Sequence, residues 1–458
     1  MIKKFFTYPV FLVIVLSIIF SILFGSLLRH HYKGGKKFES LQKIAVFFAE
    51  IPSNAKFIFT YGSIDGDVIK PIKEVIYKDK KFFDKKLALS TKREELILIS
   101  RHDGDLGRAI VELRDLNTFK VLHSYLPNIE NIYKKIDFSQ YEFKNLKKDM
   151  GVNRFHMWHP LITSKGELIF QSSSPLVKID FNSKVMWVNN EDVFHHSINL
   201  DFEENIYAPS YKNPYSKKVS EYVGLNEQNE KNFFADDAIN ILDKNGNILF
   251  SKSVSEILIE NGYVHRVFSQ DAYSNDPIHL NDIQPVLKDT PYFKKGDLFL
   301  SLRNLSIVIL YRPSVNKIIK IIEGGFFDQH DVDILDDKRI SIYSNNGFLN
   351  YKNQRVVKNN EIIIYNFETD SFSTKFEKTF KENNINTASH GLIDFLTDGS
   401  AIVEDRNNGR IFYLNSNGKV VWEFNNINSE KQIYDLWWAR AISVEQSKKL
   451  RQLIIDKR

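Results

Sequence analysis

A histidine followed by a short strand-like run that ends in a turn occurs four times in this chain. These runs begin at His196, His279, His330 and His390, and a looser copy begins at His159. Their spacing of roughly 50 to 80 residues is about that of β-propeller blades with insertions between them. Because propeller blades surround one central channel, a side chain repeated at the start of each blade is brought into a single ring. A ring of imidazoles suits anion binding or proton transfer.

A second, longer repeat supports this fold. Its unit is an apolar strand, a turn, a second strand that often closes on Asp or Asn, a Gly or Asn turn, and a last strand that often carries Trp or Phe. The copies begin near residues 95, 166, 205, 296, 339 and 399. Asn-Gly between alternating strands is a strong hairpin signal, and a β-sandwich array would not explain a fixed unit with its histidine at a similar phase. The sequence therefore predicts an all-β, six-bladed β-propeller.

The composition agrees with a large β-rich body and excludes several kinds of site. The 458 residues include 36 Phe and 20 Tyr, and hydrophobic residues make up 43% of the chain. Aromatic and β-branched residues favour strands. The chain has no cysteine, which excludes disulfides, thiolate metal sites and a cysteine nucleophile. The net charge of +5 is small and the charges are interspersed, so we expect no nucleic-acid partner.

An uncharged apolar stretch covers residues 10–28, between Lys3-Lys4 and Arg29. At about 1.5 Å per residue, its length matches the hydrocarbon core of a bilayer. No small-x-small cleavage site is evident, so we interpret the stretch as an uncleaved transmembrane helix rather than a signal peptide. Basic residues flank it on both sides and do not settle its orientation. We expect a single-pass inner-membrane protein whose body faces the periplasm or cell exterior, since exported β-domains often follow one N-terminal anchor.

The chain divides into four parts. These are a membrane anchor at residues 1–33, a helical and irregular linker at 34–87, the propeller at 88–440, and a basic C-terminal tail at 441–458. Within the linker, residues 38–51 are predicted to form a short amphipathic helix that ends at Pro52. A polar insertion at residues 212–232 interrupts the third repeat and is predicted to be an exposed loop.

His279 and Asn281 lie two residues apart, which puts an imidazole and an amide on the same face of a strand. Arg303 follows where the chain turns back, so its guanidinium can reach the same end of the blade. These groups suit a tetrahedral oxyanion such as phosphate or sulfate. Metal binding by the histidines is the next alternative, but a central Arg303 would repel a dication.

Other reaction classes lack their motifs. The sequence contains no G-x-S-x-G and no G-x-x-x-x-G-K-[ST], which disfavours a serine hydrolase and an ATP or nucleotide-sulfate donor. A single histidine is usually structural, but blade packing has no need of an imidazole at a repeated position. The aspartates Asp331, Asp333, Asp394 and Asp405 lie where repeat turns or strand edges fall, and we interpret them as structural or supporting residues.

Four short segments together resemble the bacterial arylsulfate sulfotransferase family. They are Ile278-His279-Leu280-Asn281-Asp282, Leu300-Ser301-Leu302-Arg303, Gln329-His330-Asp331 and Tyr343-Ser344-Asn345-Asn346. The family pattern contains H-x-N, S-x-R and Q-H elements and an earlier H-H pair, which here is His195-His196. Members of that family are six-bladed propellers that move a sulfuryl group from one phenolic ester to another phenol without a nucleotide donor. The resemblance is good over residues 190–350, and the repeat extends it to about residue 425.

The resemblance implies a mechanism and a set of site residues. Neutral His330 would attack sulfur in line and form a sulfohistidine, and a second phenol would then take the group. Arg303 and Asn281 would hold the sulfuryl oxygens. His279 and His196 would share that task or pass the proton between phenolic oxygens.

The chain departs from the family pattern in three respects. It lacks the cysteine pair of the secreted enzymes, it carries an anchor, and it matches poorly over residues 30–150. The resemblance assigns no role to His390 or His159. We expect no cofactor and no metal at the site.

Two other interpretations share the fold. A membrane-anchored propeller could be a non-catalytic scaffold or ligand-binding protein of the envelope, although a scaffold has no reason to carry the His, Asn and Arg set. A quinone-dependent dehydrogenase would need a carboxylate-bound calcium, whereas the predicted channel residues are imidazoles. The expected partners are an aryl sulfate donor, a hydroxyl acceptor and the membrane, and a homodimer is left open.

Overall fold

The chain folds into two units, Met1–Asp67 and Val68–Arg458. A computed structural model describes residues 7–32, 37–61, 80–88, 92–136, 138, 152, 155–172, 174–227, 233–269, 273–352 and 355–457. The first unit contains two helices, α1 (Thr7–Tyr32) and α2 (Glu39–Tyr61). Residues Tyr8–His31 are long and apolar enough to cross a membrane, a property shared by membrane anchors and N-terminal signal sequences.

Helix α2 is longer than the sequence predicts. It does not end at Pro52 but continues to Tyr61. A proline removes one helical hydrogen bond, but its fixed φ is compatible with a helix, so a proline inside an apolar helical stretch need not end it. Part of the predicted irregular linker, residues 62–79, lies outside the described residues.

The second unit is built mainly from strands. In chain order these are β1 (Phe83–Lys85), β2 (Leu96–Asp103), β3 (Arg108–Asp115), β4 (Val121–Tyr125), β5 (Trp158–Ile162), β6 (Leu168–Gln171), β7 (Leu176–Ile179), β8 (Val185–Asn189), β9 (Val193–Phe194), β10 (Asn199–Leu200), β11 (Ile206–Tyr211), β12 (Asp237–Leu242), β13 (Ile248–Ser253), β14 (Leu280–Pro285), β15 (Leu298–Leu302), β16 (Ile307–Arg312), β17 (Lys317–Glu323), β18 (Gln329–Ile334), β19 (Arg339–Ser344), β20 (Gly347–Leu349), β21 (Arg355–Val357), β22 (Glu361–Asn366), β23 (Ser371–Lys375), β24 (Leu392–Phe395), β25 (Ala401–Asp405), β26 (Arg410–Leu414), β27 (Val420–Asn425) and β28 (Leu436–Ile442). The α-helices of this unit are α3 (Ile129–Tyr133), α4 (Lys217–Val223), α5 (Val254–Glu260), α6 (His265–Phe268), α7 (Glu377–Glu382) and α8 (Val444–Asp456).

Most of these strands form six antiparallel sheets. The sheets are β28-β2-β3-β4, β5 to β8, β9 to β13, β14 to β17, β18-β19-β22-β23, and β24 to β27 with β1 on the outer edge. Strands β20 and β21 pair separately as a small hairpin. The protein is therefore a six-bladed β-propeller preceded by an apolar helix, which confirms the predicted fold class.

The two sequence repeats correspond to different parts of a blade. The first strands of neighbouring blades contact one another around the centre, as β14 contacts β18 and β18 contacts β24. The histidine-led runs supply these innermost strands, and the longer repeat supplies the strands outside them. The predicted exposed loop at 212–232 contains α4, and the part of the loop from residue 228 onward lies outside the described residues.

The ring is closed by the C-terminal strand. Strand β28 pairs with β2, with Ser100 opposite Trp438, so the innermost strand of this blade comes from the end of the chain. Helix α8 follows directly, and its Ser447 hydroxyl accepts a hydrogen bond of 2.9 Å from the Leu96 amide. The strands of the propeller thus extend from Phe83 to Ile442, a few residues beyond the predicted 88–440 at each end.

The hydrophobic core lies between neighbouring blades. In β15, Leu298 and Leu300 pack towards Ile239 of the preceding blade, whereas Phe299 packs with Ile342 of the following blade. Because side chains alternate between the two faces of a strand, a strand covered on both faces is apolar throughout. Burial of each such side chain stabilises the fold by about 1.5–3 kcal/mol, so the blades are held rigidly around the centre.

Candidate active site

Five histidines lie at the starts of the innermost strands, and we call them the histidine cluster: His159, His196, His279, His330 and His390. All except His330 have a positive φ, between 48° and 60°. The strand pairing is also irregular near three of them, in β5, β14 and β18. A bulge or a left-handed residue turns a side chain away from the regular strand direction. A histidine on left-handed or bulged backbone therefore recurs at the start of several blades.

His390 lies at the middle of the cluster. The centroid of its ring is 5.6 Å from that of His330 and 6.2 Å from those of His196 and His159. The ring of His196 in turn lies 4.7 Å from that of His279. Side chains from five blades, up to more than 200 residues apart in sequence, thus meet around His390.

Burial lowers the pKa of His159, His196, His330 and His390 well below the usual value. After burial, the largest cause is the charge of a neighbouring arginine for His159, His330 and His390, and that of a neighbouring imidazole for His196. No group of three or more His, Asp or Glu side chains among the described residues is arranged to hold a metal ion.

His330 is held in one tautomer by Asn345. The Asn345 amide donates to the carbonyls of Thr387 and His390 at 3.0 and 2.6 Å, so both its N–H groups are used. Its oxygen lies 2.7 Å from His330 Nδ1 and must accept from Nδ1–H. The lone pair of His330 is therefore on Nε2. A neutral imidazole with a free Nε2 is a nucleophile ready to attack.

Arg303 places a fixed positive charge beside His330. Its Nε lies 2.7 Å from Asp328, which also pairs with Arg355. After burial, the charge of Arg303 is the largest cause that lowers the pKa of His330. Arg303 therefore favours the neutral form of His330, and its guanidinium is a donor that suits an anion.

Asn281 links two blades. It is 3% exposed, and its amide donates to the Gln329 carbonyl at 2.9 Å, next to His330. One amide N–H remains, and the amide oxygen has no hydrogen-bond partner within the described residues. The predicted role of Asn281 as an oxyanion ligand stays a prediction.

Two carboxylates lie against histidines of the site. His279 Nδ1 lies 2.5 Å from Asp276 Oδ2, which leaves Nε2 of His279 free. His195, next to the cluster, lies with Nδ1 2.7 Å from Nδ1 of His196 and with Nε2 3.3 Å from Asp237 Oδ1. Carboxylates in such positions fix the orientation of an imidazole and stabilise its protonated form.

A second arginine, Arg406, contacts the cluster at His390. Arg406 contacts both ring nitrogens of His390, and it is anchored by Asp435 at 2.8 Å and by the Leu436 carbonyl at 2.9 Å. Since a guanidinium can only donate, His390 must offer it a lone pair. Arg406 is 9% exposed, so this cation is held rigidly.

Tryptophans form an aromatic wall beside the histidines. The Trp438 ring lies 4.2 Å from that of His159, and the Trp158 ring lies 6.3 Å from that of His390. Trp437 lies 4.7 Å from His156, which also contacts Trp158. The tryptophans thus place flat apolar surfaces next to the polar imidazoles.

Residues 161–427, more than half of the chain, match the family model for arylsulfotransferase (ASST). The chain belongs to the arylsulfotransferase family. This confirms the resemblance noted in the sequence and gives the chain an arylsulfotransferase-type function in general. A search among curated proteins found none that matches this chain.

Several solved structures are similar in fold. A protein of unknown function from Bacteroides caccae is 12% identical, with 76% of this chain and 98% of that chain covered and a TM-score of 0.45. The WD40 domain of Neurospora crassa Pan2 is 11% identical, with coverage of 71% and 73% and a TM-score of 0.35. Virginiamycin B lyase from Staphylococcus aureus is 11% identical, with coverage of 58% and 69% and a TM-score of 0.32. These values are too low to add to the functional argument.

In this family member, a set of buried aspartates follows the histidines within the same strands. We call Asp282, Asp331 and Asp394 the aspartate ties. Each accepts a hydrogen bond from a backbone amide of the next innermost strand, from Val332, Ile393 and Ala441 at 3.3, 3.2 and 2.7 Å. They hold neighbouring blades together; the sequence predicted a structural or supporting role for Asp331 and Asp394 but made no such prediction for Asp282.

The sequence identified part of the histidine cluster. The structure brings His196, His279 and His330 together around His390 and sets Arg303 near His330. His390 and His159 lead strand-like runs in the sequence, so a signal for them existed, but no role could be assigned. Sequence reasoning assigned no role to Asn345, Arg406, Asp237, Asp276 or the tryptophans. Asn345 lies in a segment that carries the resemblance, and Asp276 and Trp158 lie within three residues of a histidine, but no motif linked their side chains to the imidazoles.

Proposed function

We propose that this chain is a membrane-anchored sulfotransferase that moves a sulfuryl group from an aryl sulfate ester to a phenolic or other hydroxyl acceptor. The observation that carries the proposal is the His330–Asn345 pair. It gives one buried imidazole a free Nε2 beside a fixed cation, Arg303, at the centre of an arylsulfotransferase-family propeller.

The first half-reaction would be an in-line displacement at sulfur. Nε2 of His330 forms the N–S bond while the bond between sulfur and the aryl oxygen breaks, and the aryl oxygen leaves with the bonding electron pair. The product is a sulfohistidine whose Nδ1–H still donates to Asn345. In the second half-reaction the acceptor oxygen attacks sulfur and His330 leaves neutral.

Arg303 and the remaining N–H of Asn281 would hold the sulfuryl oxygens. Like phosphoryl transfer, this reaction needs positioning and charge around the peripheral oxygens more than covalent help. His279 would contribute its free Nε2. Arg406 and His390 would close the other side of the anion site, and the tryptophan wall would take the aryl group.

The proposed location is the inner membrane, with the propeller outside the cytoplasm. The support is the apolar span Tyr8–His31 ahead of a large β-domain. A reporter enzyme that works only after export, fused after Arg458, should be active. Activity confined to a reporter that works only in the cytoplasm would contradict this orientation.

The covalent step can be tested with donor alone. Full-length protein in detergent, mixed with 4-nitrophenyl sulfate, should release a burst of one 4-nitrophenolate per site and gain the mass of one sulfuryl group. Peptide mapping should place the adduct on His330, and addition of a phenol should remove it.

His330→Asn should give neither burst nor adduct. His265→Asn is the matched control, because His265 is an exposed histidine of the same propeller outside the cluster. An active His330→Asn protein, or an adduct on another residue, would contradict the assignment. No transfer from any aryl sulfate by the wild type would favour the non-catalytic scaffold.

A further inference from the structure

His195 and Asp237 extend the histidine cluster outward from His196. The three side chains form a continuous chain, with the two Nδ1 atoms 2.7 Å apart and with Nε2 of His195 3.3 Å from the carboxylate. His195 is 8% exposed and Asp237 is fully buried. Tyr211 covers the His195 imidazole, with a distance of 4.2 Å between the ring centroids. The chain therefore connects the reaction centre to a buried carboxylate and excludes water along its length.

Asp237 lacks the partners that a buried carboxylate needs. Neither of its oxygens has a hydrogen-bond partner among the residues that the structure describes. Its neighbour Asp236, by contrast, accepts a hydrogen bond of 2.6 Å from the Ser253 hydroxyl. A buried carboxylate without hydrogen bonds is strongly destabilised unless a positive charge lies beside it. The side chain placed to carry that charge is His195, whose Nε2 faces the carboxylate.

We propose that Asp237, His195 and His196 store the proton that the leaving phenolate takes in the first half-reaction and recover a proton from the acceptor in the second. This inference rests on the proposed function. In a double displacement the first phenol leaves before the second arrives. The leaving phenolate needs a proton and the incoming phenol gives one up, so the protein must supply a proton in the first half-reaction and take one back in the second.

The proton can be followed atom by atom through one cycle. In the loaded state, His195 is an imidazolium paired with Asp237, and neutral His196 carries its proton on Nε2. As the S–O bond of the donor breaks and the N–S bond to His330 forms, His196 gives this proton to the aryl oxygen. The Nδ1 proton of His195 then passes to Nδ1 of His196. The acceptor reverses these steps: its proton goes to Nε2 of His196 while its oxygen forms the new S–O bond.

The surroundings favour this distribution of charge. The groups that face His196 are His195, His279, His330 and His390, and with burial they keep its pKa well below the usual value. The stored charge therefore belongs on His195, next to Asp237. Tyr211, the other titratable group against this pair, stays neutral because burial and the charges of Asp237 and Asp276 raise its pKa. His196 exchanges the proton with substrate, and His195 and Asp237 act through it.

The competing store is the Asp276–His279 pair, which lies on the other side of His196. Its carboxylate is closer to its imidazole, at 2.5 Å. However, the Asp276 side chain is 30% exposed, compared with 1% for Asp237. A proton held there would exchange with water, so we assign Asp276 to the orientation of His279. The experiment includes both carboxylates.

The test compares two donors with full-length protein in detergent. The 4-nitrophenyl leaving group departs without a proton, whereas the 4-methylphenyl group needs one. Asp237→Asn should slow adduct formation from 4-methylphenyl sulfate by about 100-fold and that from 4-nitrophenyl sulfate by less than about 5-fold, the range expected for loss of general acid catalysis. His195→Gln should show the same selectivity, and it decides the question if Asp237→Asn does not fold.

Asp236→Asn is the matched control, a buried carboxylate one residue away, and should change neither rate. Equal slowing of both donors by Asp237→Asn and His195→Gln would overturn the proposal, because a structural role has no leaving-group dependence. Selective slowing by Asp276→Asn alone would transfer the role to the other pair. Absence of an adduct in the wild type with either donor would instead remove the proposed function, and this inference with it.

Discussion

The histidine cluster and the aspartate ties lie within a few residues of each other on the same innermost strands, yet they are built in opposite ways. Each aspartate tie is joined to a backbone amide of the neighbouring blade. Most of the histidines lie on left-handed backbone, and their rings face one another and two anchored arginines rather than the fold. An innermost strand such as β14, β18 or β24 thus carries a histidine of the cluster at its start and an aspartate tie just beyond it. Substitutions in the histidine cluster should mainly change activity, and substitutions in the aspartate ties should mainly change stability.

The largest expected effect is on transfer, from loss of the tautomer of His330. Asn345→Leu keeps approximate shape but cannot accept from Nδ1–H, so His330 is free to place its proton on Nε2. We expect transfer from an aryl sulfate to fall by about 1,000-fold, equivalent to about 4 kcal/mol, as measured by kcat/KM. Asn345→Asp keeps an acceptor oxygen and should retain more activity.

Asn360→Leu is the control for this change. Asn360 is also buried and also donates to the Thr387 carbonyl, at 3.1 Å, but it does not contact His330. It should lower stability and leave kcat/KM within about 3-fold of the wild type. Similar kinetic losses in Asn345→Leu and Asn360→Leu would show that the amide network acts only through the fold.

The second prediction is a substitution that should affect both the stability of the fold and the position of a cluster histidine. Gly391 follows His390 with φ +94°, and an added Cβ would lie 2.5 Å from the Tyr343 ring and 2.7 Å from Thr387. Left-handed strain and crowding together should make Gly391→Ala about 3 kcal/mol less stable, measured by chemical unfolding, and should displace His390. Gly399→Ala has φ +79° but its nearest neighbour at 3.5 Å, so it should cost only about 1–2 kcal/mol. Equal costs would mean that backbone strain, rather than the close approach of the blades, limits this position.

Features that local repeats and motifs encode can be predicted from the sequence, whereas contacts between residues distant in sequence cannot. The repeats predict the six blades, and the motif resemblance points to His196, His279, Arg303 and His330. Strand β28 escapes prediction because its start, Asp435-Leu436-Trp437, has no histidine to mark it.

The partners of the histidines are hidden for a different reason. Asn345, Asp237 and Arg406 reach their histidines because strands lie side by side within a blade or blades meet at the centre. No periodicity or local motif records such an approach. Only the three-dimensional arrangement shows which amide, carboxylate or guanidinium faces which imidazole.

The third effect concerns stability alone. Asp282 accepts from the Ser197 hydroxyl, from the Asn199 amide at 3.0 Å and from the Val332 backbone amide at 3.3 Å. In Asp282→Ala the Val332 amide loses this acceptor, whereas the Ser197 hydroxyl and the Asn199 amide keep only the carbonyls of Asn281 and Ile283, so the free energy of unfolding should fall by about 2 kcal/mol. Transfer activity below the unfolding temperature should be unchanged. A loss of kcat with normal stability would show that Asp282 acts in the active site rather than as a structural link between blades.

The smallest effect is a difference of sign in the pH dependence of stability. The pKa of His330 is well below its usual value of about 6.5, so below pH 6.5 the unfolded chain takes up a proton that the folded protein does not, and stability falls with acidification. Burial raises the pKa of Asp282 from 3.8 to about 6, so between about pH 6 and pH 4 the folded protein holds a proton that the unfolded chain has lost, and acidification adds stability. Each group contributes at most about 1.4 kcal/mol per pH unit.

Removing each group should therefore shift the same measurement in opposite directions. Between pH 6 and pH 5, His330→Asn should reduce the loss of unfolding free energy by about 1 kcal/mol, because the unfolded chain has one proton fewer to gain. Asp282→Asn should increase that loss by a similar amount, because the opposing contribution is gone. Denaturant unfolding of both variants and the wild type at the two pH values measures the difference. Shifts of the same sign would mean that the two regions titrate as one network. The histidine cluster and the aspartate ties would then not be independent parts of each strand.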